Sequence, residues 1–226
     1  MWTPLVAIGM LALAGAAAAV PARAADTVTD RVFGADLLAP VTAPASFRYR
    51  YELKGTLVPE ASSSEVRMEV RSVAADGVKQ VHFDLFEGTG RRALGPVQAR
   101  EQNPLVLVFL QRDVSRMGRM TGGTPEYFRQ RIRAAFNGPA EVEPVTVDLE
   151  GAPEPATRVV IHPFRGDPEI ARFRQFEDKS YEFVVAPAIP GGLWRIATHT
   201  PGAAADAPPA LEESMTFVAT TPAAEG

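Results

Sequence analysis

Three histidines, His82, His162 and His199, are the side chains best suited to proton transfer near neutral pH or to metal binding, and they stand far apart in the chain. A zinc site wants two or three imidazoles converging with carboxylates, and neither His-x-His nor His-Glu-x-x-His spacing occurs. His82 shares the polar face of its segment with Asp84, and His162 points away from Ile161, so all three read as solvated or singly hydrogen-bonded groups. An activated serine sits on a sharp turn of the type Gly-x-Ser-x-Gly, which is absent; Ser62, Ser63 and Ser64 fall in a polar connection where serine forms turns. Nothing in the flanks of the carboxylate pairs Asp84 with Glu87 and Glu141 with Glu143 indicates the burial that would separate their pKa values, so they read as surface acid. Gly88-Thr89-Gly90-Arg91-Arg92 lacks the Lys-Ser/Thr and the third glycine of a phosphate loop and reads as a flexible hairpin loop. Arg165-Gly166-Asp167 repeats the integrin tripeptide and reads as a turn. The chain contains no cysteine, which excludes disulfides, thiolate metal sites and cysteine nucleophiles. No catalytic residue, metal site or cofactor is therefore expected.

Cation spacing is more informative. Between Arg112 and Arg133 six arginines face two acids, Asp113 and Glu126, a local charge of +4 on an acidic protein. Arg112, Arg116 and Arg119 follow helical spacing, as do Arg129 and Arg133, so each helix is expected to carry a guanidinium stripe. Such stripes bind lipid headgroups, lipopolysaccharide phosphates or the acidic face of another envelope protein, or simply keep an exposed helix soluble. A second candidate surface is aromatic: Phe47, Tyr49 and Tyr51 lie on one face of a strand and either line an apolar ligand cavity or fill a core.

These residues need elements to position them. Phe47, Tyr49, Tyr51 and Leu53 alternate with Arg48, Arg50, Glu52 and Lys54, the period of a half-buried antiparallel strand. Val66, Met68 and Val70 repeat the pattern, as do Val81, Phe83 and Leu85 after the turn dipeptide Asp76-Gly77. The period then lengthens. Asn103-Pro104 opens a helix near 104–120 that Gly122-Gly123 ends, and Thr124-Pro125 opens another over 125–136 that stops at Asn137-Gly138-Pro139. Val106, Leu110, Val114 and Met117 on the first arm, with Phe128, Ile132, Ala135 and Phe136 on the second, form its inward face. Strands resume with Val145, Val147 and Leu149, then Val159 and Ile161, then Tyr181, Phe183 and Val185, and finally the segment from Leu193 to His199.

Strands, helical hairpin, strands: the order predicts an α+β fold in which a mostly antiparallel, curved, half-barrel-like sheet carries a two-helix hairpin inserted between strand groups. In element order it is similar to the open half-barrels of periplasmic lipoprotein carriers and related envelope proteins. The expected organisation is a signal peptide over 1–24, a leading arm over 25–45, one sheet-rich domain over 46–199, and an Ala/Pro-rich, largely disordered tail over 200–226 in which 215–219 is a candidate edge strand.

The signal follows from an uninterrupted apolar run over 5–20, then Pro21 and the small-residue pattern Ala22-Arg23-Ala24. Its 16 residues are short for a permanent membrane span, which takes roughly 18 or more. Cleavage removes only Arg23 among the charged residues, leaving 22 basic against 27 acidic side chains, a charge of −5. Nucleic acid is not an expected partner for such a chain. The leading expectation is an exported, soluble periplasmic or secreted protein that binds an apolar ligand or an anionic envelope partner without catalysis. The alternatives are a hydrolase whose acids meet only in the fold and an assembly factor acting through its tail.

Overall fold

The computed structural model describes residues 29, 31–32, 37–86, 90–100, 102–204 and 206–222. The expected signal peptide lies outside these residues. Among the described residues no helix is long and apolar enough to cross a membrane.

Nine strands form one antiparallel sheet. The first group comprises β1 (Ala45–Lys54), β2 (Ser62–Val73), β3 (Lys79–Leu85) and β4 (Arg92–Ala99). Two helices follow, α1 (Pro104–Thr121) and α2 (Pro125–Phe136). The second group is β5 (Glu141–Leu149), β6 (Ala152–Ile161), β7 (Ser180–Val185), β8 (Leu193–Thr200) and β9 (Leu211–Pro222), with a 3-10 segment, Pro168–Phe176, between β6 and β7. The strand order β4-β3-β2-β1-β9-β8-β7-β6-β5 makes each group a meander and joins them where the first strand pairs with the last. The sheet stays open and curled, and the molecule is an α+β half-barrel with the helical hairpin inserted between the strand groups, the fold class its pattern predicts.

The period-two residues decide which face is filled. Phe47, Tyr49 and Tyr51 of β1 oppose Met68, Val66 and Ser64 of β2, and side chains directly opposite in an antiparallel pair share a face. Tyr181 and Phe183, Ile196, and Met215 bury on that same inner face. The helices cover it. Asn103 starts α1 by accepting from the Leu105 amide at 3.0 Å, and its amide nitrogen donates to the Gly191 carbonyl at 2.9 Å in the turn between β7 and β8. One buried side chain thus caps the helix and ties its entry to the sheet. Gly122, at φ 66°, supplies the left-handed residue that ends α1. On α2 Phe128 meets Phe164 and Phe176 edge-on, with ring centroids 5.8 and 6.3 Å apart, which seats the hairpin against the 3-10 segment.

Three stretches differ from the sequence expectation. Ser62, Ser63 and Ser64, read as a polar connection, open β2 and pair with Leu53, Glu52 and Tyr51 of β1. The supposed disordered tail carries β9, which lies at the centre of the sheet, paired with β1 from Glu212 to Pro222 and with β8 from Leu211 to Thr216. The Ala/Pro-rich composition of 201–210 hides it, because those residues form only the loop that brings the chain back. The stretch read as a loop through Arg92 instead enters β4, and Gly95-Pro96 broke its pattern. Proline is compatible with that place because β4 is an edge strand with one side free of ladder bonds.

Candidate functional site

Helix α1 has three faces. Leu105, Phe109, Asp113 and Met117 point at the sheet and are fully buried. Leu110 and Val114 turn towards Ile132 and Phe136 of α2, leaving a cleft of about 450 Å³ rimmed by Arg129 and Arg133. The third face, with Val108, Arg112, Ser115 and Arg119, borders a groove of about 1160 Å³ whose opposite wall is the inner face of the β1–β4 wing. Such a volume is at or above the upper end of ordinary small-molecule pockets, about 300–1,000 Å³. Leu94 on edge strand β4 is 43% exposed and Leu107 on α1 is 52% exposed, and both line the groove.

The groove has two unlike ends, set by strand register. Val97 pairs with Val81, Val81 with Val70 and Val70 with Ala45, so Val97 belongs to the end of the sheet where β1 begins. Pro104, Leu107 and Val108, at the start of α1, lie at this end with Leu94. At the other end Arg92 pairs with Leu85, Leu85 with Val66 and Tyr51 with Ser64, and the later turns of α1 bring Arg112, Ser115 and Arg119. One end is therefore apolar and the other carries guanidinium and hydroxyl groups over the rings of Tyr51 and Phe86.

Behind that polar end lies a carboxylate that no solvent reaches. Glu213 Oε1 accepts from the Tyr51 hydroxyl at 2.8 Å, from Arg112 Nε at 2.9 Å and from Arg116 at 3.1 Å. The Arg112 guanidinium sits 4.1 Å from the Phe86 ring centroid and 5.0 Å from that of Tyr51. Burial, reinforced by the Glu213 charge, pushes the Tyr51 hydroxyl up to about 12, so it stays a donor. A second buried cluster pins the same helix to β7. Lys179 Nζ lies 2.9 Å from Asp113 and the Tyr181 hydroxyl 2.5 Å from the other oxygen of that carboxylate, and both ionic side chains are fully buried.

The arginine stripe of α1 is thus split by the fold. Arg112 and Arg116 turn inward to Glu213, and only Arg119 remains exposed. The helical spacing is real, but the sheet supplies an acid that draws two of the three guanidiniums in. On α2, Arg129 pairs with Glu126 and Arg133 is exposed on the rim of the cleft. Tyr49 is buried against Phe217, with its ring 5.8 Å away, and does not line the groove, whereas Tyr51 does.

Sequence reasoning missed Glu213, Asp113, Lys179 and Arg92. One signal was present: Glu213 has the parity of Leu211, Met215 and Phe217, an acid at an inward position of a strand. Asp113 likewise lies four residues after Phe109 and four before Met117.

The remaining polar groups are occupied elsewhere. The outer face of the sheet holds a depression of about 580 Å³ with charged walls, where Lys54 and His199 share Glu212 and Arg158 and Arg195 share Glu182. His82 is on β3 and His162 follows β6, so the histidines are spread across the sheet. Among the described residues no group of three potential metal ligands forms. Asp84 pairs with Arg91, Glu141 with His162 and Glu143 with Arg158, while Glu87 lies outside the described residues. Asp167, of the Arg-Gly-Asp tripeptide, is buried, caps the Glu169 amide and accepts from Tyr127 at 2.7 Å.

No protein-family model matches the chain. No curated protein sequence matches it either. Among solved structures it is similar to a LolA superfamily protein from Nitrosomonas europaea at 8% identity and TM-score 0.23, over 88% of this chain and 95% of that one. It is also similar to a putative outer membrane lipoprotein-sorting protein domain from Vibrio parahaemolyticus, at 8% identity and TM-score 0.19, over 79% and 85% of the two chains. Likeness at this level carries no argument about function, which rests on the groove itself.

Proposed function

We propose that this protein is an exported, non-catalytic envelope protein that holds the apolar chain of a lipid-like ligand in the groove between α1 and the β1–β4 wing. The observation that carries the reading is the open groove of about 1160 Å³, into which Leu94 and Leu107 present large apolar side chains at 43% and 52% exposure. Exposed apolar surface gathered in a concavity is the usual mark of a binding site. Export is supported by the apolar run over 5–20 and the small-residue pattern that follows it.

Titration with an environment-sensitive apolar dye tests the reading. The wild type takes up the dye with saturation, and the variant Leu94→Asp/Leu107→Asp loses most of that binding while its unfolding midpoint is unchanged, since both side chains are already half in water. Unchanged dye binding in a folded double variant contradicts the proposal.

A further inference from the structure

We infer that the ligand is an amphiphile with an anionic headgroup, a carboxylate or a phosphate, held with its head at the Arg92 and Arg119 end of the groove and its chain at the Leu94 and Leu107 end. The inference rests on the apolar-chain reading above and adds the sign and position of the head.

Three observations support it. The first is that among the described residues the lining contains three arginines, Arg92, Arg112 and Arg119, and no aspartate or glutamate. The second is how these cations are partnered. Arg112 is already matched to Glu213 behind the wall, whereas Arg92 and Arg119 are exposed and form no ion pair among the described residues. The cations of the outer-face depression, by contrast, are paired: Lys54, Arg158 and Arg195 each hold a glutamate. Two unmatched guanidiniums over one groove attract an anion, and their planar forks suit a carboxylate or phosphate. The third is the order of the lining along α1. From Val108 to Arg119 the helix rises about 16 Å, from Pro104, Leu107 and Val108 to Ser115 and Arg119. Across the groove Val97 and Leu94 give way to Arg92, and Ser62 and Ser64, opposite Leu53 and Tyr51, add hydroxyl donors at that same end. An acyl chain continuous with an anionic head matches this sequence of apolar then cationic lining, whereas a neutral or cationic head leaves both guanidiniums unmatched.

The test compares dodecyl phosphate, dodecyl maltoside and dodecyltrimethylammonium, all below their micellar concentrations, with inorganic phosphate as the headgroup alone. Each is measured by calorimetry on the full chain and on Arg92→Gln/Arg119→Gln, whose side chains are exposed and form no ion pair among the described residues. The expected result is that dodecyl phosphate binds about tenfold more tightly than the maltoside, that the double variant removes that advantage, and that added salt weakens only the phosphate ligand. Equal affinities for the phosphate and the maltoside, with no effect of the variant, overturn the headgroup assignment and leave the apolar groove standing. Binding of inorganic phosphate as tightly as dodecyl phosphate marks a free-anion site and also overturns it. Binding of none of the three amphiphiles removes the groove reading and this inference with it.

Discussion

Asp113 of α1 and Lys179, the residue just before β7, form an ion pair at 2.9 Å that is sealed from solvent on both sides. It joins the helical hairpin to the sheet, with Lys179 over the rings of Phe176 and Tyr181 and the Tyr181 hydroxyl donating to the same carboxylate. Removing one partner strands the other charge in the core, so Asp113→Ala or Lys179→Met is expected to cost about 3–5 kcal/mol. The apolar replacement Asp113→Leu/Lys179→Met costs less than either single change, because no unpaired charge remains. Denaturant unfolding of the three variants checks this. A double variant less stable than both singles contradicts it.

The cap and tether at Asn103 make a separate prediction. Asn103→Ala loses the bond to the Leu105 amide and the bond to the Gly191 carbonyl, both buried. A loss of about 1–3 kcal/mol is expected. Hydrogen exchange on the first turn of α1 accelerates with it, and unchanged exchange there means the tether is not what holds the helix entry.

Tyrosine titration reports on the closed inner face. All four tyrosines hold their protons above the ordinary value of 10.0, in each case chiefly through burial, aided by Glu213 at Tyr51, by Asp167 at Tyr127 and by Asp113 at Tyr181; Tyr51 and Tyr127 reach about 12. A hydroxyl whose folded pKa is raised gives stability that is fully present below pH 10 and is lost as pH rises from there towards 12. The expected outcome is that tyrosinate absorbance stays absent near pH 10 and then appears together with the loss of circular dichroism. Ionisation of several tyrosines in the folded protein near pH 10 contradicts the packing described for them.

The two inward arginines and the outward one separate by phenotype. Arg116, only 12% exposed at its side chain, is bound to the buried Glu213, which keeps Arg112 as a second partner, so Arg116→Ala destabilises the fold by about 1–3 kcal/mol. Arg119→Ala leaves unfolding within about 0.5 kcal/mol of wild type. Equal destabilisation by the two substitutions contradicts the inward placement of Arg116.

Much of this architecture can be read from side-chain period alone. Phe47, Tyr49 and Tyr51 announce a strand with one buried face, and Asn103-Pro104 and Thr124-Pro125 announce both helix starts, because these signals are local. The site is less legible for a physical reason. Whether Arg112 and Arg116 face water or a carboxylate depends on Glu213, a residue about a hundred positions later that β9 delivers to the strand beside β1. β9 itself is hidden behind a Pro-rich loop, and β4, interrupted by Gly95-Pro96, forms the wall that leaves Arg92 and Leu94 facing the groove. Local pattern gives the pieces; pairing at long range decides which charges stay free.

The claim that the groove beside α1 takes an acyl chain is tested most directly by methyl NMR during titration with dodecyl phosphate. Saturable shifts are expected at Leu85, Leu94, Val97, Leu107 and Val108, with Val160 and Ala197 of the outer face unmoved. Shifts confined to the outer face or to Ile132 in the cleft between the helices, or no shifts at all, contradict it.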